Sequence, residues 1–225
     1  MKVKLQHYEL FAKVLVYPGE DFLQDVEAVR NWLEVFHPEV ALEFEAFYQI
    51  VISKNLDDAQ AVYTRSFDVQ AITTMDVAYV LFGDDYKRGE ILSHLNREHL
   101  KAQNDCGSEL ADYLPNMLSL IASLEDEELR KELVEEILAP ALRKMIQEFI
   151  PARLDQKNKL YQKHYKTLIE APGHDVRTYQ HVLKALYWVL RKDFSVKERN
   201  LENDEHCDFL QSVSAEMDIE NGIKD

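Results

Sequence analysis

From Leu5 to Leu190 the apolar residues of this chain recur mostly at intervals of three and four, and no β-branched, alternating run competes with that period. Phe22, Val26, Val29, Leu33 and Phe36 make one such stripe, and Val40, Phe44, Phe47 and Val51 a second. Leu129, Leu133, Ile137, Leu142, Met145 and Phe149 make a third, with one step of five between Ile137 and Leu142, and Val176, Tyr179, Leu183, Leu186 and Leu190 a fourth. A side chain returns to the same face of an α-helix every 3.6 residues, so each stripe requires an amphipathic helix. No hairpin signal and no internal repeat accompanies them. The expected fold is all-α, a single compact multi-helix domain. At 225 residues and 46% hydrophobic content the chain can bury a full core. The helical domain is expected over 1–194, followed by an acidic tail over 195–225.

Glycine and proline, six of each, act as punctuation. Tyr17-Pro18-Gly19 ends the first helix, which carries Leu5, Tyr8, Ala12 and Leu15 on one face. Pro38 fits the first turn of the third helix, where its missing N–H is no loss. Asp57 is placed to cap a fourth helix through Tyr63, and Thr73 or Thr74 to cap the segment ending at Phe82, with Gly83 as its terminator. A polar helix is expected from Asp85 to Asn104, with Ile91, Leu92 and Leu95 inward, broken by Gly107. Ser108 is placed to cap the next helix, with Leu110, Leu114, Met117, Leu118 and Ile121 buried. Pro140 must bend the long helix that contains it. Beyond Pro151 the pattern is weaker and more basic as far as Pro172-Gly173, a clean break.

Charge narrows the class of partner. A formal net charge of −15 argues against nucleic acid, whose phosphates require clustered Lys and Arg; it suits a cationic partner. His7, Glu9 and Lys13 interrupt the N-terminal apolar residues, so a secretory signal is not expected. No run reaches membrane-spanning length. Cys106 and Cys207 have no paired spacing, which points to a reducing compartment. A cytoplasmic location follows as the expectation. After Phe194 the chain turns acidic and poor in apolar residues, the composition of a mobile tail.

The densest chemistry lies between Tyr79 and Pro115. A charged turn carries Gly83, Asp84, Asp85, Lys87, Arg88, Gly89 and Glu90, and an acidic turn carries Glu109, Asp112 and Tyr113. Arg88 can pair with Asp84 at i+4. A helix of about 20 residues would hold the two turns about 30 Å apart unless the chain folds back. Glu90, His94 and Glu98 lie on one helical face, yet a metal site wants three or four convergent ligands and no second cluster with ligand spacing supplies them. His206-Cys207-Asp208 is an incidental grouping in the tail. No phosphate loop, nucleophile elbow or paired-cysteine motif occurs. No catalytic residue, metal or cofactor of its own is assigned to the chain.

Four segments carry a resemblance: YPGEDFL (Tyr17 to Leu23), YTRSFD (Tyr63 to Asp68), YVLFGDDYKRGEIL (Tyr79 to Leu92) and ELADYLPNMLSLIASL (Glu109 to Leu124). In this order, across about 8–150, they resemble the NarJ/TorD family of redox-enzyme maturation chaperones, in its nitrate reductase delta-subunit (NarJ) branch. Ala111 stands where the family has a proline, and Asp112-Tyr113 where the TorD and DmsD branches prefer Asp-His. The resemblance implies an all-helical chaperone without catalysis. Its partner would be the catalytic subunit of a molybdopterin oxidoreductase such as nitrate reductase. It would bind that subunit's N-terminal, twin-arginine-like leader until the molybdenum cofactor is inserted. The peptide-binding residues it implies are Glu109, Asp112, Tyr113, Asp84, Arg88 and Tyr79. Tyr113 would offer a ring and a hydroxyl and Asp112 and Glu109 charge, while Asp84 and Arg88 shape their turn. A helical scaffold or regulatory subunit that stays in its complex is the alternative, and a metal-dependent enzyme using His94 and Glu98 a weaker third reading. The extra helices over 153–192 match no motif.

Overall fold

The computed structural model describes residues 5–166 and 176–197, and among these it contains helices and no strand. The helices are α1 (His7–Val14), α2 (Phe22–Phe36), α3 (Pro38–Ile52), α4 (Leu56–Phe67), α5 (Val77–Phe82), α6 (Tyr86–Lys101) and α7 (Leu114–Ser123). One long rod follows, made of α8 (Glu127–Glu132), a π-helical turn (Leu133–Leu138) and α9 (Ala139–Glu148). It is succeeded by α10 (Pro151–Tyr165) and α11 (Thr178–Phe194).

The stripes meet in one core. α11 lies against α3 and α9, α1 against α2 and α7, and α5 against α9. Tyr179, Leu183, Leu186 and Leu190 of α11 are all buried, as are Phe44, Phe47 and Val51 of α3 and Phe11 of α1. Phe11 meets Phe44 edge-on at 6.4 Å, and Phe47 meets Tyr179 at 5.4 Å. Such aromatic pairs add to the burial term itself. The C-terminal helices without a matching motif are thus core elements, held by Leu154 and Tyr161 of α10 and by most of α11. The acidic tail, His206-Cys207-Asp208 and Pro172-Gly173 lie outside the described residues.

Several local expectations are corrected. Phe36 does not join the α2 stripe; it is 62% exposed at the helix end. Asn55, not Asp57, caps α4, its side chain accepting from the Asp58 N–H at 2.8 Å. Neither Thr73 nor Thr74 caps α5, and α6 ends at Lys101 rather than Asn104. Ser108 caps nothing, because α7 starts only at Leu114, and Leu110 is 49% exposed on the preceding turn.

Pro140 directly follows a π turn in the long helix. The Ala139 N–H bonds to the Val134 carbonyl, five residues back, and Pro140, in the first turn of α9, has no N–H to extend an α-helical ladder. The hydrophobic frame explains the slip. Counting back from buried Leu142 at about 100° per residue, a continuous α-helix would aim Lys131 and Glu135 within about 20° of the core direction. Lys131 is instead exposed and Glu135 half-buried, the two paired at 3.8 Å, and Val134 is buried. The same slip turns Leu133, which an α-helix would aim about 180° from Leu142, toward the flank that faces α6.

Candidate functional site

The chain does fold back. Met75 and Asp76 pair with Tyr113 and Leu114 in an isolated antiparallel bridge, Leu114 N–H donating to Met75 O at 2.8 Å. Val77 N–H donates to the Asp112 carbonyl at 3.0 Å and Ala78 N–H to the Asp112 carboxylate at 3.2 Å. Asp112 therefore caps α5 from 34 residues away in sequence, supplying the acceptors that the helix start lacks.

Arg88 joins the two turns. Its guanidinium donates to Asp76 at 3.2 Å, lies 3.7 Å from Asp112 and 3.8 Å from Asp84, and sits 5.0 Å from the centre of the Tyr79 ring. Burial, then the Asp76 charge, raises the Asp112 carboxyl above its ordinary value against the pull of Arg88. Burial likewise raises Asp76, with Arg88 opposing. Tyr113 donates to or accepts from the Tyr63 hydroxyl at 2.8 Å, and burial pushes its own hydroxyl up to about 12. Tyr17 meets the Tyr63 ring edge-on at 5.5 Å. The four segments that carry the resemblance thus touch one another in a single seam.

That seam is more interior than the sequence suggests. Asp112 is 0% exposed, while Tyr79, Arg88 and Tyr113 are half-buried. Asp84 and Glu109 are exposed. An Arg or Lys arriving from solvent meets Asp84 and Glu109, and Asp112 faces inward.

The open site lies alongside, on the other flank of α6. A groove of about 410 Å³ runs between α6 and the α8–π rod. Ile91 and Leu95 on one side and Leu129, Leu133 and Ile137 on the other form its floor. Glu90, His94 and Glu98 edge the first wall, Glu132 and Glu136 the second. Glu98 is held by Lys101 at 2.7 Å, and Glu90, Glu132 and Glu136 are exposed. An apolar floor between two acidic rims is complementary to a helix with one apolar stripe and basic flanks. Glu90, His94 and Glu98, weighed above as metal ligands, edge this groove. Among the described residues no three His, Cys, Asp or Glu side chains group so as to hold a metal ion. The groove's signal was present in sequence as two stripes edged with acids, but nothing in a linear pattern shows that they face each other.

The far end of α6 is fixed by His99, which is buried. Its Nε2 donates to the Ala111 carbonyl at 2.9 Å and its Nδ1 accepts from the Asn104 amide at 2.9 Å. Burial holds the ring below its usual value of 6.5, the carbonyl bond partly opposing. A His whose folded value is lowered stabilises the fold in its neutral form. That contribution is whole above pH 6.5 and fades as pH falls toward the folded value. The stability advantage of the wild type over His99→Gln should therefore shrink between about pH 7.5 and about pH 5. Denaturant titrations at both ends measure it, and a constant difference would show that His99 packs without titrating.

Compared with known proteins, the chain matches no family model and no curated protein. Among the described residues no helix is long and apolar enough to cross a membrane.

Proposed function

We propose that this protein is a cytoplasmic, non-catalytic assembly chaperone of the NarJ/TorD type. In this reading it binds the basic, amphipathic N-terminal segment of a molybdoenzyme catalytic subunit, nitrate reductase-like, and holds it for cofactor insertion. The observation that carries the reading is the groove between α6 and the π turn, with its apolar floor and paired acidic rims. Glu109 and Asp84 extend the negative surface, and Tyr79, Arg88, Asp112 and Tyr113 hold α5 and α6 in place beneath it.

Burial of an apolar stripe would supply most of the affinity, because exposed rim pairs contribute only about 0–1 kcal/mol each. Calorimetry with a synthetic client N-terminus tests this. Micromolar or tighter binding, with a negative heat-capacity change and modest weakening in high salt, is expected. Absence of binding at any salt concentration would remove the reading. The exposed Val35, Phe36 and Leu42 at the α2–α3 corner favour a second reading, a subunit retained in a complex. Copurification separates the two, since a retained subunit stays stoichiometric with the mature enzyme and a chaperone does not.

A further inference from the structure

α6, the first wall of the groove, is thinly anchored. Of its sixteen residues only Leu95 and His99 are buried, whereas α11 buries ten of seventeen. Few buried apolar contacts mark the elements that open first. Both flanks carry residues in the left-handed region: Gly83 at φ +59° before it, Gln103 at +54° and Gly107 at +61° after it. Such positions absorb backbone rotation at hinges, and glycine does so without steric cost. Gly89, inside the helix, has no packing reason to be glycine, since a Cβ there would meet nothing within 4 Å. It weakens the helix relative to alanine. Beyond buried Leu95 and half-buried Ile91 and Leu92, α6 is held by a polar side chain near each end: Arg88 to Asp76 and Asp112, and His99 to Ala111 and Asn104.

We propose that α6 is a hinged flap. Its outward swing about Gly83 and the Gln103–Gly107 turn widens the groove for a partner helix, with Arg88 and His99 as its two catches. The identity of what enters rests on the function proposed above; the flap itself does not.

Hydrogen exchange on the full chain, with no peptide present, tests it. Amides of α6 should exchange at least tenfold faster than those of α3 and α11. Arg88→Gln should speed α6 exchange about tenfold further and leave α11 unchanged. Gly89→Ala, which keeps every catch, should slow α6 about threefold, and it serves as the test if Arg88→Gln does not fold. Exchange of α6 in step with α11 would overturn the proposal, as would an Arg88→Gln effect spread evenly over the chain. A basic amphipathic peptide added afterwards separates the two ideas. Independent α6 exchange without peptide binding leaves the flap standing and removes the chaperone reading. Peptide binding with α6 exchanging in step with the core does the reverse.

Discussion

Replacing Glu148 by Gln is expected to cost about 3–5 kcal/mol of stability, the penalty for leaving a buried charge without its partner. Glu148, at the end of α9, is 2% exposed, and Lys157 of α10 is 1% exposed. Their charged groups lie 2.6 Å apart, with Arg153 on the other carboxylate oxygen at 3.0 Å. Lys157 also donates to the Ile72 carbonyl, Tyr161 to the Ala71 carbonyl at 2.7 Å, and Arg65 to Gln70 O and, at 2.7 Å, to Asn158. Together these contacts stitch the loop between α4 and α5 onto α10. A neutral amide leaves the Lys157 ammonium in the interior without a counter-charge. The melting temperature should fall by roughly 6–20 °C, given about 2–4 °C per kcal/mol for a chain of this size. Glu148→Leu with Lys157→Met removes both charges together and should recover most of the loss. A single-variant effect within about 0.5 kcal/mol, typical of surface changes, would show that the pair is solvated.

The second large effect is on binding. Leu133→Asp puts a charge on the floor of the groove and should weaken a basic amphipathic leader by at least about 2 kcal/mol, roughly 30-fold. Helicity should persist, because Leu133 is only partly buried against the core. Glu132→Lys and Glu136→Lys act on the rim. Each should cost less than about 1 kcal/mol and chiefly flatten the salt dependence. Calorimetry on the three variants reads this contrast; equal losses at floor and rim would mean that charge, not burial, dominates recognition.

What the sequence made legible was what is local. The stripes of α2, α3 and α11 follow directly from spacing, and Gly83 terminates α5 with the positive φ its position requires. Long-range substitutions for local rules were not legible. Asp112 caps α5 across 34 residues, so a search for a cap among its neighbours lands on Thr73 and Thr74. Lys157 occupies an apolar slot in the inner stripe Leu154–Lys157–Tyr161, which made α10 look weak until Glu148 explained the slot. The one-residue slip at the π turn arises from two hydrophobic frames that each look regular alone. The groove depends on that slip, which the five-residue step from Ile137 to Leu142 marks in the sequence, and on the return of α6, which spacing within one helix does not reveal.

On the proposed function, a client leader lies between α6 and the π turn. Amide chemical-shift mapping of the labelled full-length protein, titrated with a synthetic basic amphipathic leader, tests it most directly. Shifts concentrated at Glu90–Glu98 and Leu129–Ile137, and saturating with the calorimetric affinity, are the expected result. Shifts confined to the Tyr17–Tyr63–Tyr113 seam or to the Val35–Leu42 corner, with the groove silent, would contradict it.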